Sequence, residues 1–318
     1  MLTISNMFRG FLAGWAMLGM MAKAWAEVEV AATIAPVHSL VSMVTEGVMT
    51  PTLIVRPGAS PHGYAMKPSE ARALDHATIV FRVGANLETW MGKAIETLAT
   101  EARVVDLANV DGVVRLGRRK GGVWEGHDHH DDHGHDEPDD HGEAHDLVGD
   151  DPHLWLSPDN AITWLGAIAT ELAKLNPAQA GIYSANAERA VLRLTAMTAS
   201  IDQRLEPVRD TPYIVFHDAY QYFERRFELK SLGSVSLSDA DRPSAKRLTE
   251  IRHRIEESGA VCAFAEPQFE PKLLETVIEG QDVAKGILDP IGADLEPGGD
   301  LYPALMERLA TSLIDCLS

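Results

Sequence analysis

The 318-residue sequence predicts an α/β protein with two lobes, each a mostly parallel sheet flanked by helices, joined by one long linker helix. Short runs rich in β-branched residues alternate with helical patterns in both halves of the chain, which is typical of parallel sheets covered by helices. A long helical pattern separates the two halves. The length also corresponds to about two domains.

In the first half, alternating strand-like and helical patterns predict the order of the strands and helices. Strands are expected at residues 28–34, 51–55, 78–83 and 103–107, and helices at 36–44, 68–76, 87–98 and 157–175. Pro177 then suits a first helical position and opens the linker. The linker helix is expected from Ala178 to about Leu205, because apolar residues recur there at spacings of three and four.

The second half repeats this rhythm. Strands are expected at residues 213–216, 260–265 and 284–288, and helices at 219–227, 243–258, 271–278 and 303–316. The predicted organisation is therefore a signal peptide at 1–26, an N-terminal lobe at 27–177, a linker helix at 178–208 and a C-terminal lobe at 209–318.

The first 26 residues have the pattern of a secretory signal peptide. Arg9 precedes an apolar run at residues 10–21, and Ala24-Trp25-Ala26 matches an A-x-A cleavage site. The alternative is an uncleaved anchor, but the apolar run is shorter than the about 20 residues of a membrane span, and Lys23 interrupts its far end. We expect cleavage after Ala26 and a mature chain, 27–318, in an exported, oxidising compartment.

Charge and cysteine content narrow the class of protein further. The chain has 28 basic and 47 acidic residues, a formal net charge of −19, so it repels phosphate backbones and nucleic acid is not an expected partner. An even cysteine count in an exported protein favours one disulfide, between Cys262 and Cys316. Two buried thiols are the alternative.

Residues 125–151 differ in composition from the rest of the chain. The segment has twelve acidic residues, no Lys or Arg, and almost no aliphatic side chains, so it predicts a disordered loop within the N-terminal lobe. Because His-rich tracts bind metal, the loop is either a weak auxiliary metal site or a solvated charge run. Its seven histidines are His127, His129, His130, His133, His135, His141 and His145.

Four residues outside this loop are candidates for one metal site: His62, His153, His217 and Asp289. Several of them fall at or after the carboxyl ends of predicted strands, the edge at which open α/β sheets bind ligands. Three imidazoles and a carboxylate suit Zn²⁺, whereas Ca²⁺ and Mg²⁺ prefer oxygen ligands. Taken singly, each histidine is also compatible with an ordinary hydrogen-bonded loop residue.

Five motifs give the chain a family resemblance. They are GASPHGY at 58–64, KPS at 67–69, DPHLWLSP at 151–158, VFHDAY at 215–220 and ILDPIG at 287–292. Together with the acidic His-rich loop and the cysteine pair, they resemble the solute-binding proteins of bacterial zinc and manganese ABC importers, and within them the ZnuA-type zinc branch. The resemblance covers essentially all of 27–318.

The resemblance implies that His62, His153 and His217 bind zinc. A histidine at 217 points to zinc, since the manganese branch has Glu there. Asp289 matches a carboxylate that ligates metal in the manganese branch and in some zinc proteins. Other zinc proteins use water or a Glu just before the first histidine; here that residue is Pro61, so Asp289 and water stay open.

The implied function is a monomeric, non-catalytic periplasmic protein that captures Zn²⁺ and delivers it to the membrane permease of an ABC importer. An exported zinc buffer or chaperone would share this fold and site. A three-histidine zinc hydrolase is a further alternative, although the chain has neither an H-E-x-x-H nor a G-x-S-x-G motif.

Overall fold

The computed structural model describes residues 28–119, 149–236 and 244–318. The predicted signal peptide and the seven loop histidines lie outside these ranges. Of the predicted loop 125–151, only Gly149, Asp150 and Asp151 are described. They run beside the chain ahead of the loop, with an antiparallel bridge between Gly117 and Asp150.

The first sheet consists of four parallel strands in the order β2-β1-β3-β4. They are β1 (Val30–Ala32), β2 (Thr52–Leu53), β3 (Ile79–Arg82) and β4 (Arg103–Asp106). Helices α1 (Ala35–Thr45), α2 (Pro68–His76) and α3 (Met91–Leu98) connect them. Two longer helices follow, α4 (Pro158–Leu175) and α5 (Ala180–Leu205).

The second sheet has the same strand order, β6-β5-β7-β8, and is again parallel. Its strands are β5 (Tyr213–His217), β6 (Ser231–Ser236), β7 (Cys262–Ala265) and β8 (Ala284–Ile287). Its helices are α6 (Gln221–Phe227), α7 (Ala245–Ser258), α8 (Pro271–Ile278) and α9 (Leu301–Leu317). The predicted fold class is confirmed, while the exact lobe boundaries stay predictions.

Several elements begin or end a few residues from the predicted positions, and two differ more clearly from the sequence prediction. The helix expected at 87–98 begins at Met91, because the chain first turns around the buried carboxylate of Glu88, which accepts hydrogen bonds from the backbone of Val83 and Gly84. Strand β6 was not expected, because its sequence, SLGSVS, has only one β-branched residue. It forms by pairing with β5 and buries Ser234 and Val235 completely.

The long helix α5 is packed into the protein along its length. One continuous apolar core includes Phe81 of β3, Leu194 of α5, Phe264 of β7 and Leu309 of α9. Helix α9, the last of the chain, packs against α1 and α5, so it crosses back to the first half. Within the described ranges, none of the helices combines the length and hydropathy needed to cross a membrane.

A disulfide joins Cys262 of β7 to Cys316 of α9, with their Cα atoms 6.0 Å apart. It closes a loop across a sequence separation of 54 residues. The bond therefore fastens the central region of the second sheet to the helix that packs on the first half.

Removing this disulfide is expected to lower the free energy of unfolding. We expect a loss of about 2–4 kcal/mol in a Cys262→Ala/Cys316→Ala variant, because the unfolded chain regains loop entropy. Denaturant unfolding measures the change. The wild-type protein unfolded in reductant is the control and should lose stability to a similar extent; equal stabilities of variant and oxidised wild type would contradict the prediction.

Candidate metal centre

His62 lies on the loop that follows β2, where the chain turns away from the sheet. The loop is anchored from outside, because the indole Nε1 of Trp90 donates to the carbonyl of Pro61 at 2.8 Å. Within the loop, the backbone N–H of His62 donates to Oγ of Ser60 at 3.2 Å. His62 is partly exposed, so its imidazole borders both solvent and the interior.

His153 precedes α4 and is held by Asp151. The Asp151 carboxylate accepts the backbone N–H of His153 at 3.0 Å and lies 2.7 Å from its Nδ1. Burial lowers the pKa of His153 well below its ordinary value, with a further contribution from His217, and burial raises the pKa of Asp151 to about 7. The imidazole is therefore neutral at pH 7, and with Nδ1–H donating to Asp151 its Nε2 lone pair is available to a metal.

His217 ends β5, and its partner Glu266 directly follows the neighbouring strand β7. The Nδ1 of His217 lies 2.7 Å from Oε1 of Glu266, and both side chains are almost completely buried. Because β5 and β7 are parallel neighbours, their carboxyl ends bring the two side chains together. The carboxylate again directs the free Nε2 outward from the sheet edge.

The structure brings the three histidines together. The Nε2 atom of His153 lies 3.1 Å from that of His62 and 3.3 Å from that of His217. One ligand atom from each histidine lies within 4.8 Å of the others, and within the described ranges they form the candidate metal-binding group. Tetrahedral Zn²⁺ with Zn–N distances of about 2.0–2.1 Å separates its nitrogen ligands by about 3.3 Å. The observed spacing therefore suits zinc.

Asp289 lies two residues beyond β8 and is not among these mutually close ligand atoms. Its Oδ1 accepts from the side-chain amide of Gln268 at 2.9 Å and from the backbone N–H of Gly292 at 3.1 Å. Its Oδ2 accepts from the backbone N–H of Ala293 at 2.5 Å. In this arrangement the carboxylate stabilises the turn after β8, and its role as a metal ligand stays a prediction.

Apolar side chains form much of the cleft around the histidines, including Trp155, Phe269 and Ile291. The indole Nε1 of Trp155 donates to the carbonyl of Pro290 at 2.7 Å, which joins the two halves of the protein beside the site. These walls limit the access of water and so strengthen interactions between a cation and its ligands.

Sequence reasoning missed the two carboxylates that orient the histidines. Asp151 could have been found, because it lies in the DPH motif two residues before His153. Glu266 carries a weaker signal: it directly follows a strand that neighbours the His217 strand, but that adjacency is a property of the sheet order and is not visible in the sequence.

Comparison with known proteins assigns the family. The family model for the zinc-uptake complex component A, periplasmic (ZnuA), matches residues 30–316. The high-affinity zinc uptake system protein ZnuA of Brucella suis is 44% identical over 305 residues, 91% of each chain. The protein of that name from Paracoccus denitrificans is 38% identical over 88% of this chain and 89% of its own.

The fold is also found among solved structures. The periplasmic zinc-binding protein TroA from Treponema pallidum superimposes with a TM-score of 0.75 at 19% identity, covering 92% of this chain and 99% of its own. At that identity the likeness supports the fold alone. The family model and the two relatives, which span nearly the whole chain, show that the protein belongs to the ZnuA family, the periplasmic component A of zinc-uptake complexes.

Proposed function

We propose that this protein captures Zn²⁺ in the periplasm and delivers it to the membrane permease of an ABC importer. The observation that carries the proposal is the meeting of three Nε2 atoms, with contacts of 3.1 and 3.3 Å, at a spacing suited to tetrahedral zinc. Membership of the zinc-uptake family supports the transport role. The signal-peptide pattern at residues 1–26 supports export.

In this proposal His62, His153 and His217 are the zinc ligands. The fourth position is filled by water or by Asp289. Asp289 would have to exchange hydrogen bonds with Gln268 and the turn backbone for the metal, whereas a water ligand leaves those bonds intact. The nitrogen-rich ligand set favours Zn²⁺ over Mn²⁺, which binds carboxylates better than imidazoles.

Capture and release need different physical conditions. Capture uses imidazoles of which two, His153 and His217, are already oriented by buried carboxylates, so little conformational entropy is lost when the ion binds. Release has to come from docking on the permease, because a partner can shift the protein to a weakly binding state only by contacting that state more favourably. No bond of the cargo is made or broken, so the proposal involves no catalytic step.

Replacing His217 tests the principal site. We expect His217→Ala to weaken binding of the first zinc equivalent by orders of magnitude, because two imidazoles remain and the loss leaves Glu266 buried without its partner. Competitive titration against a chelator measures the dissociation constant. His253→Ala is the matched control, since His253 is exposed on α7 and should leave the constant unchanged. An unaltered constant in His217→Ala would remove this residue from the site.

The carboxylate behind His153 gives a second test. Asp151→Asn is expected to weaken zinc binding about 10–100-fold, because an amide accepts the Nδ1–H of His153 less well than a carboxylate does and can turn its NH₂ group toward that nitrogen. Asp150→Asn is the control: Asp150 pairs with Arg115 at 3.2 Å and both side chains are substantially exposed. The same titration measures both variants, and equal affinity for Asp151→Asn and wild type would argue against orientation by this pair.

Deleting the His-rich segment tests its auxiliary role. We expect the full chain to bind more than one zinc ion, and a chain without residues 125–148 to keep a single tight site, because His62, His153 and His217 all lie outside the deletion. The deletion must end before Asp151, which contacts His153. Calorimetry with zinc gives the number of sites. Loss of tight binding would mean that the segment supplies a principal ligand.

A further inference from the structure

Arg119 connects the two halves of the protein beside the candidate metal centre. It lies in the first half, next to the bridge between Gly117 and Asp150, and its guanidinium reaches two carboxylates of the second half. Its Nε donates to Asp218 at 2.9 Å and a terminal nitrogen donates to Glu224 at 2.7 Å. The exposed fractions of the three side chains are only 18%, 7% and 5%.

Both carboxylates belong to the segment that carries His217. Asp218 is the next residue after it, and Glu224 lies on α6, which follows. Glu224 also accepts the hydroxyl of Tyr213 at 3.2 Å, at the start of β5. The guanidinium therefore contacts the chain just after the zinc-binding histidine and, through Glu224, is connected to the start of its strand.

The chain next to Arg119 is joined to the other ligand segment. The backbone N–H of Arg118 donates to the carbonyl of Gly149 at 3.2 Å, and the N–H of Asp151 donates to the carbonyl of Leu116 at 2.7 Å. Asp151 in turn orients His153. The segment that carries Arg119 is therefore hydrogen-bonded to the segment that carries Asp151 and His153.

Resting on the proposed function, we propose that Arg119 is a positioning residue for zinc binding, which sets the separation of His217 from His153 across the two halves. A rigid link is needed because the two imidazoles come from different halves of the protein and zinc requires their nitrogens at a spacing of about 3.3 Å. Without the guanidinium, Asp218 and Glu224 remain buried without this positive partner, so the segment after His217 has to rearrange.

Binding both carboxylates, Asp218 and Glu224, requires the guanidinium group of an arginine. A guanidinium offers five N–H donors in a rigid plane, so it can bind one carboxylate with two nitrogens and a second carboxylate with the third. A lysine ammonium keeps the charge but is a single point on a flexible stem. Arg119→Lys therefore preserves electrostatic compensation while it removes the fixed geometry, and Arg119→Met removes both.

The experiment uses the full chain loaded with one equivalent of zinc. Stopped-flow mixing with excess chelator gives the rate of zinc release, and Co²⁺ loading gives visible absorption bands that report ligand geometry. Arg226→Met is the matched control, because Arg226 of α6 also contacts the first half, pairing with Asp159 of α4 at 3.0 Å, but both side chains are more exposed. Thermal unfolding of the metal-free variants measures stability separately.

We expect Arg119→Met to release zinc roughly tenfold faster and to change the Co²⁺ bands, with a smaller acceleration in Arg119→Lys and wild-type behaviour in Arg226→Met. If Arg119→Met does not fold, the rate of zinc release from Arg119→Lys tests the inference in its place. Wild-type release rates and Co²⁺ bands in the folded Arg119 variants would overturn the inference, even if unfolding temperatures fall. If the wild-type chain itself does not hold zinc, the proposed function fails instead.

Discussion

The candidate metal centre depends on holding the two halves of the protein in a fixed relation. His153 comes from the first half and His217 from the second, yet their Nε2 atoms are 3.3 Å apart. A shift of one half by about an ångström would separate the donors of a tetrahedral ion. Close packing provides this rigidity, because one apolar core runs through both halves and includes α5 and α9.

Buried charge organises the same region. Asp151 and Glu266 lie behind the imidazoles with exposed fractions of 2% and 3%, although removing a carboxylate from water is costly. Each offsets part of that cost through an imidazole Nδ1–H, and a divalent cation on the opposite nitrogen would offset more. The arrangement is therefore stabilised by the ion that it is proposed to bind.

The fold class could be predicted because the two patterns that indicate it depend only on residues close together in the sequence. β-Branched runs and helical periodicity mark most strands and helices, and α2 and α8 were predicted with the bounds seen in the structure. Strand β6 was missed because its serines and glycine carry little β propensity, so only pairing with β5 makes it a strand. The late start of α3 follows from a buried carboxylate, which is a tertiary effect.

The candidate metal centre likewise has features that the sequence reveals and features that only the tertiary structure reveals. His62, His153 and His217 could be found from motifs, but their meeting point depends on sheet order, and the adjacency of Glu266 to His217 depends on the pairing of β5 with β7. The resemblance suggested Asp289 as a ligand, which stays a prediction, and only the structure reveals that its carboxylate accepts hydrogen bonds from a turn. Sequence motifs identify side-chain chemistry, and backbone hydrogen bonds decide where each oxygen points.

The position of α9 has a consequence for how the protein folds. The backbone N–H of Tyr302 in this helix donates to Oγ of Ser39 at 2.9 Å, and the Tyr302 hydroxyl donates to the carbonyl of Trp155 at 2.8 Å. The core of the first half is thus completed by a residue that lies 263 positions after Ser39 in the sequence. That core can therefore close only once the chain is available as far as α9, so the first half cannot finish folding independently of the second.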